Sequence, residues 1–178
     1  MNYIKTGFLM LLMSALLLAV GALLGQQSGL IIALVVALGL NFVMYWFGAK
    51  IALSFSRSKP MGQAEKNAWP WLFKANEELC AKAGIPVVPL YLSPDPQPNA
   101  FACGRGPGAA AISLNKGLID SMNPNEVIGV LAHEIAHVRN RDTLIMTVAA
   151  AIGSAIMFVT RMAVFFGGDN RPHPVVGI

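Results

Sequence analysis

The chain of 178 residues is 55% hydrophobic and only 12% charged, with a mean hydropathy of +0.57 and a formal net charge of +4. That length admits one modest domain, or a small domain with membrane spans, and the apolar excess is high for a soluble globule. Lys5, Lys50, Arg57 and Lys59 all precede the first acidic residue, Glu65, and no basic cluster is interleaved with aromatics, which argues against nucleic-acid binding.

From Thr6 to Ala49 there is no charged residue. The run Gly25-Gln26-Gln27-Ser28-Gly29 interrupts it and predicts a tight loop between two spans, 7–24 and 30–49, each near the ~20 residues a helix needs to cross hydrocarbon. No Ala-x-Ala-like site follows the first run, so an uncleaved helical hairpin is the expectation rather than a signal peptide. Basic residues flank the hairpin on one side and are absent from its loop, which orients both ends toward the cytoplasm. Gly21 and Gly25 form a GxxxG pair that chance explains as well as helix packing does.

The mixed segment that follows has local signals of both kinds. Residues 71–83 read as a helix, started after Pro70 and stopped by Gly84; residues 87–92 are strand-like. Pro94, Pro96 and Pro98 fit neither a helix nor a ladder, so 93–98 is a loop. Phe101 and Ala102 form a brief strand before the turn Gly104-Arg105-Gly106-Pro107-Gly108, and 109–114 is a second strand. The glycine cluster lacks the Gly-Lys-Ser/Thr of a phosphate loop. Cys80 and Cys103 have no CxxC spacing and read as small buried hydrophobes in a reduced compartment.

Asn123-Pro124-Asn125-Glu126 is a helix start, with an amide-accepting cap, proline at the first helical position and an acid where a capping box needs one. The run 127–138 is rich in aliphatics and is expected to be largely buried. Into it the sequence places His133, Glu134 and His137. Residues four apart share a helical face, so both imidazoles can reach one zinc ion. Glu134, beside the first ligand, can take a proton from an attacking water and pass it to a leaving amine. A third ligand is not evident. Asp142 is half a turn out of phase if the helix continues, and reads as a residue supporting a ligand or ending the helix. Glu65, Glu77, Glu78, Asp95 and Asp120 have no favourable spacing; Asp169 lies beyond another apolar run, and His173 sits in a Pro/Gly tail.

That third apolar run covers 144–166. Its Arg161 can snorkel, face a protein interior or end a shorter span. The fold class expected is an α+β membrane protein with a hairpin at 1–56, a small catalytic subdomain at 57–142, and a third apolar helix and tail at 143–178.

The stretch Asn99-Ala100-Phe101-Ala102, the strand 109–114, and the block from His133 through Val138-Arg139-Asn140-Arg141 to Asp142 resemble the HtpX family of membrane zinc metalloproteases. The resemblance implies a gluzincin-type fold and an endopeptidase in the bacterial inner membrane, with its site on the cytoplasmic side. It implies quality control of misfolded or damaged membrane proteins, so the lipid bilayer and unfolded polypeptides are the expected partners, and nucleic acid is not. It makes His133 and His137 ligands of one zinc ion per complete protein and Glu134 the base. It makes the strand at Ala111, Ile112 and Ser113 the edge on which substrate lies, with Asn99 beside it. The family's third ligand is a glutamate on a later helix, and this chain reads as the N-terminal part of a longer protein. Two other readings stand beside this one: a membrane scaffold carrying a relic motif, and a prenyl-protein-processing gluzincin.

Overall fold

In the computed structural model, residues 2–143 and Met146 are described; the third apolar run, with Arg161, Asp169 and His173, falls almost wholly outside them. The elements are α1 (Asn2–Phe55), β1 (Lys59–Pro60), α2 (Gln63–Ala68), α3 (Pro70–Ala83), β2 (Leu90–Ser93), β3 (Ala100–Gly104), β4 (Ala110–Asn115), α4 (Lys116–Ser121) and α5 (Pro124–Asn140). A 3-10 turn at Pro107–Ala109 leads into β4.

α1 is two helical arms, because Gly25 and Gln26 leave helical geometry and Gln26 has φ of 48°. The arms fold back on each other. The Asn41 amide donates to Ser14 Oγ at 2.9 Å, and a Cβ on Gly29 would meet the Gly21 carbonyl at 2.0 Å. The glycine contact is thus Gly21 against Gly29 across the turn, not the Gly21–Gly25 pair along one helix. Gly25–Phe55 is long and apolar enough to cross a membrane, whereas the first arm's apolar helix, Met10–Leu23, is shorter.

The sheet is mixed, with strand order β1-β2-β4-β3. β2 and β4 run parallel and β3 pairs antiparallel to β4, with Ala102 opposite Ile112. Side-chain alternation assigns the two faces. Leu90, Ile112, Leu114 and Ala102 pack with Leu72 and Cys80 of α3 and Val127, Leu131, Ile135 and Val138 of α5. On the other face, Ala111 and Cys103 meet Leu53 at the foot of α1.

Several expectations need correction. The strand carrying Ala111, Ile112 and Ser113 is not an edge: β4 is paired on both sides, and its six residues are all buried. The edge is β3. α5 is not buried all round; it turns one face inward, and His133 and Ala136 are exposed. The apolar run is amphipathic because Gly129, Ala132 and Ala136, which read as core, lie on the outer face. The short helices α2 and α4 were not expected.

A chain of hydroxyls ties α1 to the sheet. Ser58 Oγ lies 2.6 Å from both Ser56 Oγ and Ser113 Oγ, and Ser93 Oγ donates to the Ser56 carbonyl at 2.7 Å. Ser113 is fully buried, so a lost partner there would cost about 1–3 kcal/mol.

Replacing Gly29 by leucine is expected to drive the arms apart, since backbone stands where its Cβ would go. Cysteines placed at 14 and 41 should cross-link readily in the parent and at least severalfold less in Gly29→Leu. Equal cross-linking in both would show that the arms do not meet at the glycines.

Candidate active site

Asn123 caps α5 as its sequence requires. Its Oδ1 accepts from the amides of Asn125 and Glu126 at 3.0 and 3.1 Å, and Glu126 returns a carboxylate to the Asn123 amide at 2.9 Å. The buried stripe of α5 lies against α3 and the sheet, which carries the next residues of the helix past the β3 edge.

There His133 and His137, one turn apart, converge with Nε2 atoms 3.1 Å from each other. Two nitrogens bound at about 2.0–2.1 Å to one tetrahedral ion lie about 3.3 Å apart, so the pair is spaced as two ligands of a single zinc. The helix ends where Arg141 adopts φ of 60°. The Asp142 amide then donates to the His137 carbonyl at 3.0 Å, and Asp142 Oδ2 comes within 3.5 Å of His137 Nδ1. A carboxylate on Nδ1 favours the tautomer that leaves Nε2 free to bind a metal. Asp142 thus stands just past the helix end and beside the His137 ring, the two places its sequence position left open.

Glu134 is only 6% exposed, and its Oε2 accepts the Ala102 amide at 2.8 Å. That contact turns Ala102 N–H away from β4. By the alternation of an antiparallel pair, Ala100 and Gly104 also present main-chain groups outward. Thr143 Oγ1 donates to the Gly104 carbonyl at 2.8 Å, a second contact on the same edge just beyond α5. Desolvation raises the Glu134 pKa above its ordinary value, against the lowering effects of the Ala102 hydrogen bond and then of His137 and His133.

Four of the other candidate acids, Glu77 not among them, have local partners elsewhere. Glu65 accepts the Gly62 amide, Asp95 the Gln97 amide, Glu78 lies 4.0 Å from Lys74, and Asp120 pairs with Lys116. Among the described residues, no group of three His, Cys, Asp or Glu could hold a metal. Cys103 is a free buried thiol, pushed up to about 11 by desolvation, and Cys80 is a free buried thiol too. Of the residues expected to touch substrate, Asn99 is exposed at the start of β3. Ala111, Ile112 and Ser113 are committed to the Leu53 contact, the core and the serine junction.

The model of peptidase family M48 matches residues 66–172, more than half of the chain. The chain belongs to that family. Among similar M48 relatives, a protein called Protease HtpX homolog from Aquifex aeolicus is 45% identical over 161 residues, which covers 89% of this chain and 52% of the relative. Homologs of the same name from Methylibium petroleiphilum and Ralstonia pickettii are 42% and 40% identical over 181 residues, covering 99% of this chain. The chain spans 63% and 62% of those two relatives, so it corresponds to between half and two thirds of an M48 protein of this type. Membership gives protease identity at the level of the family. The Ala102 amide and the Thr143 hydroxyl had no side-chain motif to reveal them.

Because the folded state disfavours the Glu134 carboxylate, it holds the carboxyl proton to higher pH than the unfolded chain does. Stability from this group should fall as pH rises from the unfolded carboxyl value of about 4.3 through the raised folded value. Glu134→Gln keeps an oxygen for the Ala102 amide and removes the buried charge. In metal-free protein at pH 7 it should melt no lower than the parent, and a clear drop in Tm would contradict the burial argument.

Proposed function

We propose that this chain contributes two metal ligands and the general base of a membrane-anchored zinc endopeptidase acting on misfolded or damaged membrane proteins. The observation that carries the reading is the convergence of His133 and His137 Nε2 at 3.1 Å, with the Glu134 carboxylate facing the sheet edge from the same helix.

His133 and His137 would hold the ion through Nε2, with Asp142 keeping the Nδ1 proton on His137. A bound zinc ion polarises a scissile carbonyl and makes water acidic enough to attack at neutral pH. Glu134 accepts the proton of the attacking water and delivers it to the leaving nitrogen. The outward main-chain groups of Ala100 and the outward carbonyl of Ala102, whose amide Glu134 already takes, offer an extended peptide a strand to pair with, and exposed Asn99 immediately precedes them. Glu134 and the peptide meet at the same edge, which brings the base to the bond to be cleaved. The third ligand is supplied from outside the described residues; the family resemblance points to a glutamate on a later helix.

The setting is the bilayer of a bacterial inner membrane. Gly25–Phe55 has the length and composition of a span, and the uncharged loop at 25–29 with Lys5, Lys50, Arg57 and Lys59 at the other end supports a cytoplasmic site.

The full-length protein, purified without chelator, is expected to hold about one zinc per molecule. Glu134→Gln should keep the zinc and lose peptide hydrolysis by roughly 100-fold or more, whereas His133→Ala should lose both. Turnover that persists in Glu134→Gln would remove the residue from the reaction. Asp142→Asn should weaken zinc binding by about 10–100-fold, measured by competition with a chromophoric chelator. Unchanged affinity would mean that the 3.5 Å contact does not orient His137.

A further inference from the structure

On the face of the sheet opposite the histidine pair, a cavity of about 440 Å³ opens between the foot of α1 and the turn that joins β3 to β4. Its walls include Tyr45, Trp46, Lys50 and Leu53 from α1, Val87, and Arg105 from the turn. Two cations and no acidic side chain line it. Neither cation is engaged in a salt bridge among the described residues.

The geometry of Arg105 is specific. Its guanidinium carbon stands 4.1 Å from the centre of the Trp46 ring and 5.8 Å from that of Tyr45. Stacking uses the face of the guanidinium and leaves its N–H edges free for two parallel hydrogen bonds to an oxyanion. Gly104 and Gly106, at φ of 122° and 157°, shape the turn that carries it. Lys50 lies one helical turn beyond Trp46 on the same arm.

Height along the helix identifies the anion. From Gln27 to Trp46 the second arm rises about 29 Å, close to the ~30 Å thickness of bilayer hydrocarbon. With the 25–29 loop at one surface, Trp46 and Tyr45 stand at the other interface, where aromatic rings prefer to lie. Lys50 and Arg105 are then at the level of lipid phosphates. Phe42, exposed and one turn further down the helix with its ring 6.2 Å from that of Trp46, continues the apolar wall to the depth where acyl chains would run. We propose that this cavity binds the headgroup of an anionic phospholipid, with Arg105 and Lys50 as its counter-charges and Trp46 as the platform that holds Arg105 in place. The proposal rests on the membrane reading given above.

The test uses the full-length protein, delipidated in neutral detergent, exposed to phosphatidylglycerol or phosphatidylcholine, and examined by native mass spectrometry. The parent should retain one phosphatidylglycerol in preference to phosphatidylcholine, and inorganic phosphate at millimolar concentration should not displace it. Lys50→Gln and Arg105→Gln should each weaken that preference about fivefold, and the double variant should abolish it. Lys50 is exposed on a helix surface, so its substitution reads the charge without threatening the fold. Lys116→Gln, at a basic residue remote from the cavity, should leave the preference unchanged.

Equal retention of both lipids by the parent, or an unaltered preference in the double variant, overturns the site. The second result is also what a cavity filled by a later segment of this chain would give. Displacement by inorganic phosphate overturns the lipid as occupant. Vesicle flotation after an alkaline wash separates the two readings. A chain that leaves phosphatidylcholine vesicles overturns the membrane reading and the site together, whereas one that stays but shows no charge preference overturns the site alone.

Discussion

The hydrogen bond from the Ala102 amide to the Glu134 carboxylate sets the geometry on which everything else in this protein depends. A helix packed on a sheet can slide along it by a residue at little expense in apolar contact, because ridges and grooves repeat. A buried carboxylate cannot slide, since leaving it without its donor would strand a charge in a desolvated place. The bond therefore holds α5 at one register against β3. Thr143, donating to Gly104 two residues along the same edge, prevents the helix from pivoting about that point. With both contacts made, the exposed histidines can stand only where the free side of β3 passes beneath them.

The arrangement stores polarity where it is used. Most of the inner face of α5 is Val127, Leu131, Ile135 and Val138, which need no partner beyond each other and the sheet. Glu134 is the exception in that stripe, and its desolvation is offset only in part by the Ala102 amide and the neighbouring imidazoles. An acid whose ionised form is disfavoured by burial is poorly suited to stabilising a fold. The same helix thus divides by face: aliphatic residues anchor it, and His133, Glu134 and His137, the groups proposed to carry the chemistry, stand at the boundary between core and solvent.

Much of this was legible in the sequence where side chains signal their own geometry. The cap at Asn123, proline at the start of α5 and the four-residue spacing of the histidines each state a local rule, and the structure follows them. The stop of α3 was legible for the same reason, because Gly84 adopts the left-handed conformation that glycine favours. The ends of α1 and α5 use the same closing hydrogen bonds but with Arg57 and Arg141 in that conformation, and arginine gives no such signal. That is why the sequence left Asp142 between supporting a ligand and ending the helix, and did not reveal its approach to His137. Strand order was the larger difficulty. The sequence marks 109–114 as a strand, but edge and centre differ in which neighbours arrive, and a two-residue β1 and the return of β3 leave little trace in composition. The Ala102 contact is main chain on one side, so no residue type announces it.

The serine junction gives the molecule a fixed datum. A flexible tether between an apolar helix and a soluble unit would let the unit wander, and the distance from bilayer to scissile bond would be an average. Here Ser56 and Ser58, just past the last turn of the helix, are bonded to Ser113 in the central strand and to Ser93 in its parallel neighbour. The histidine pair rides on the same sheet through β3. Its altitude above the end of the helix is therefore built in like the throat of a gauge, and in the proposed setting a polypeptide would be sorted by how far its unfolded segment stands clear of the lipid before sequence is consulted at all.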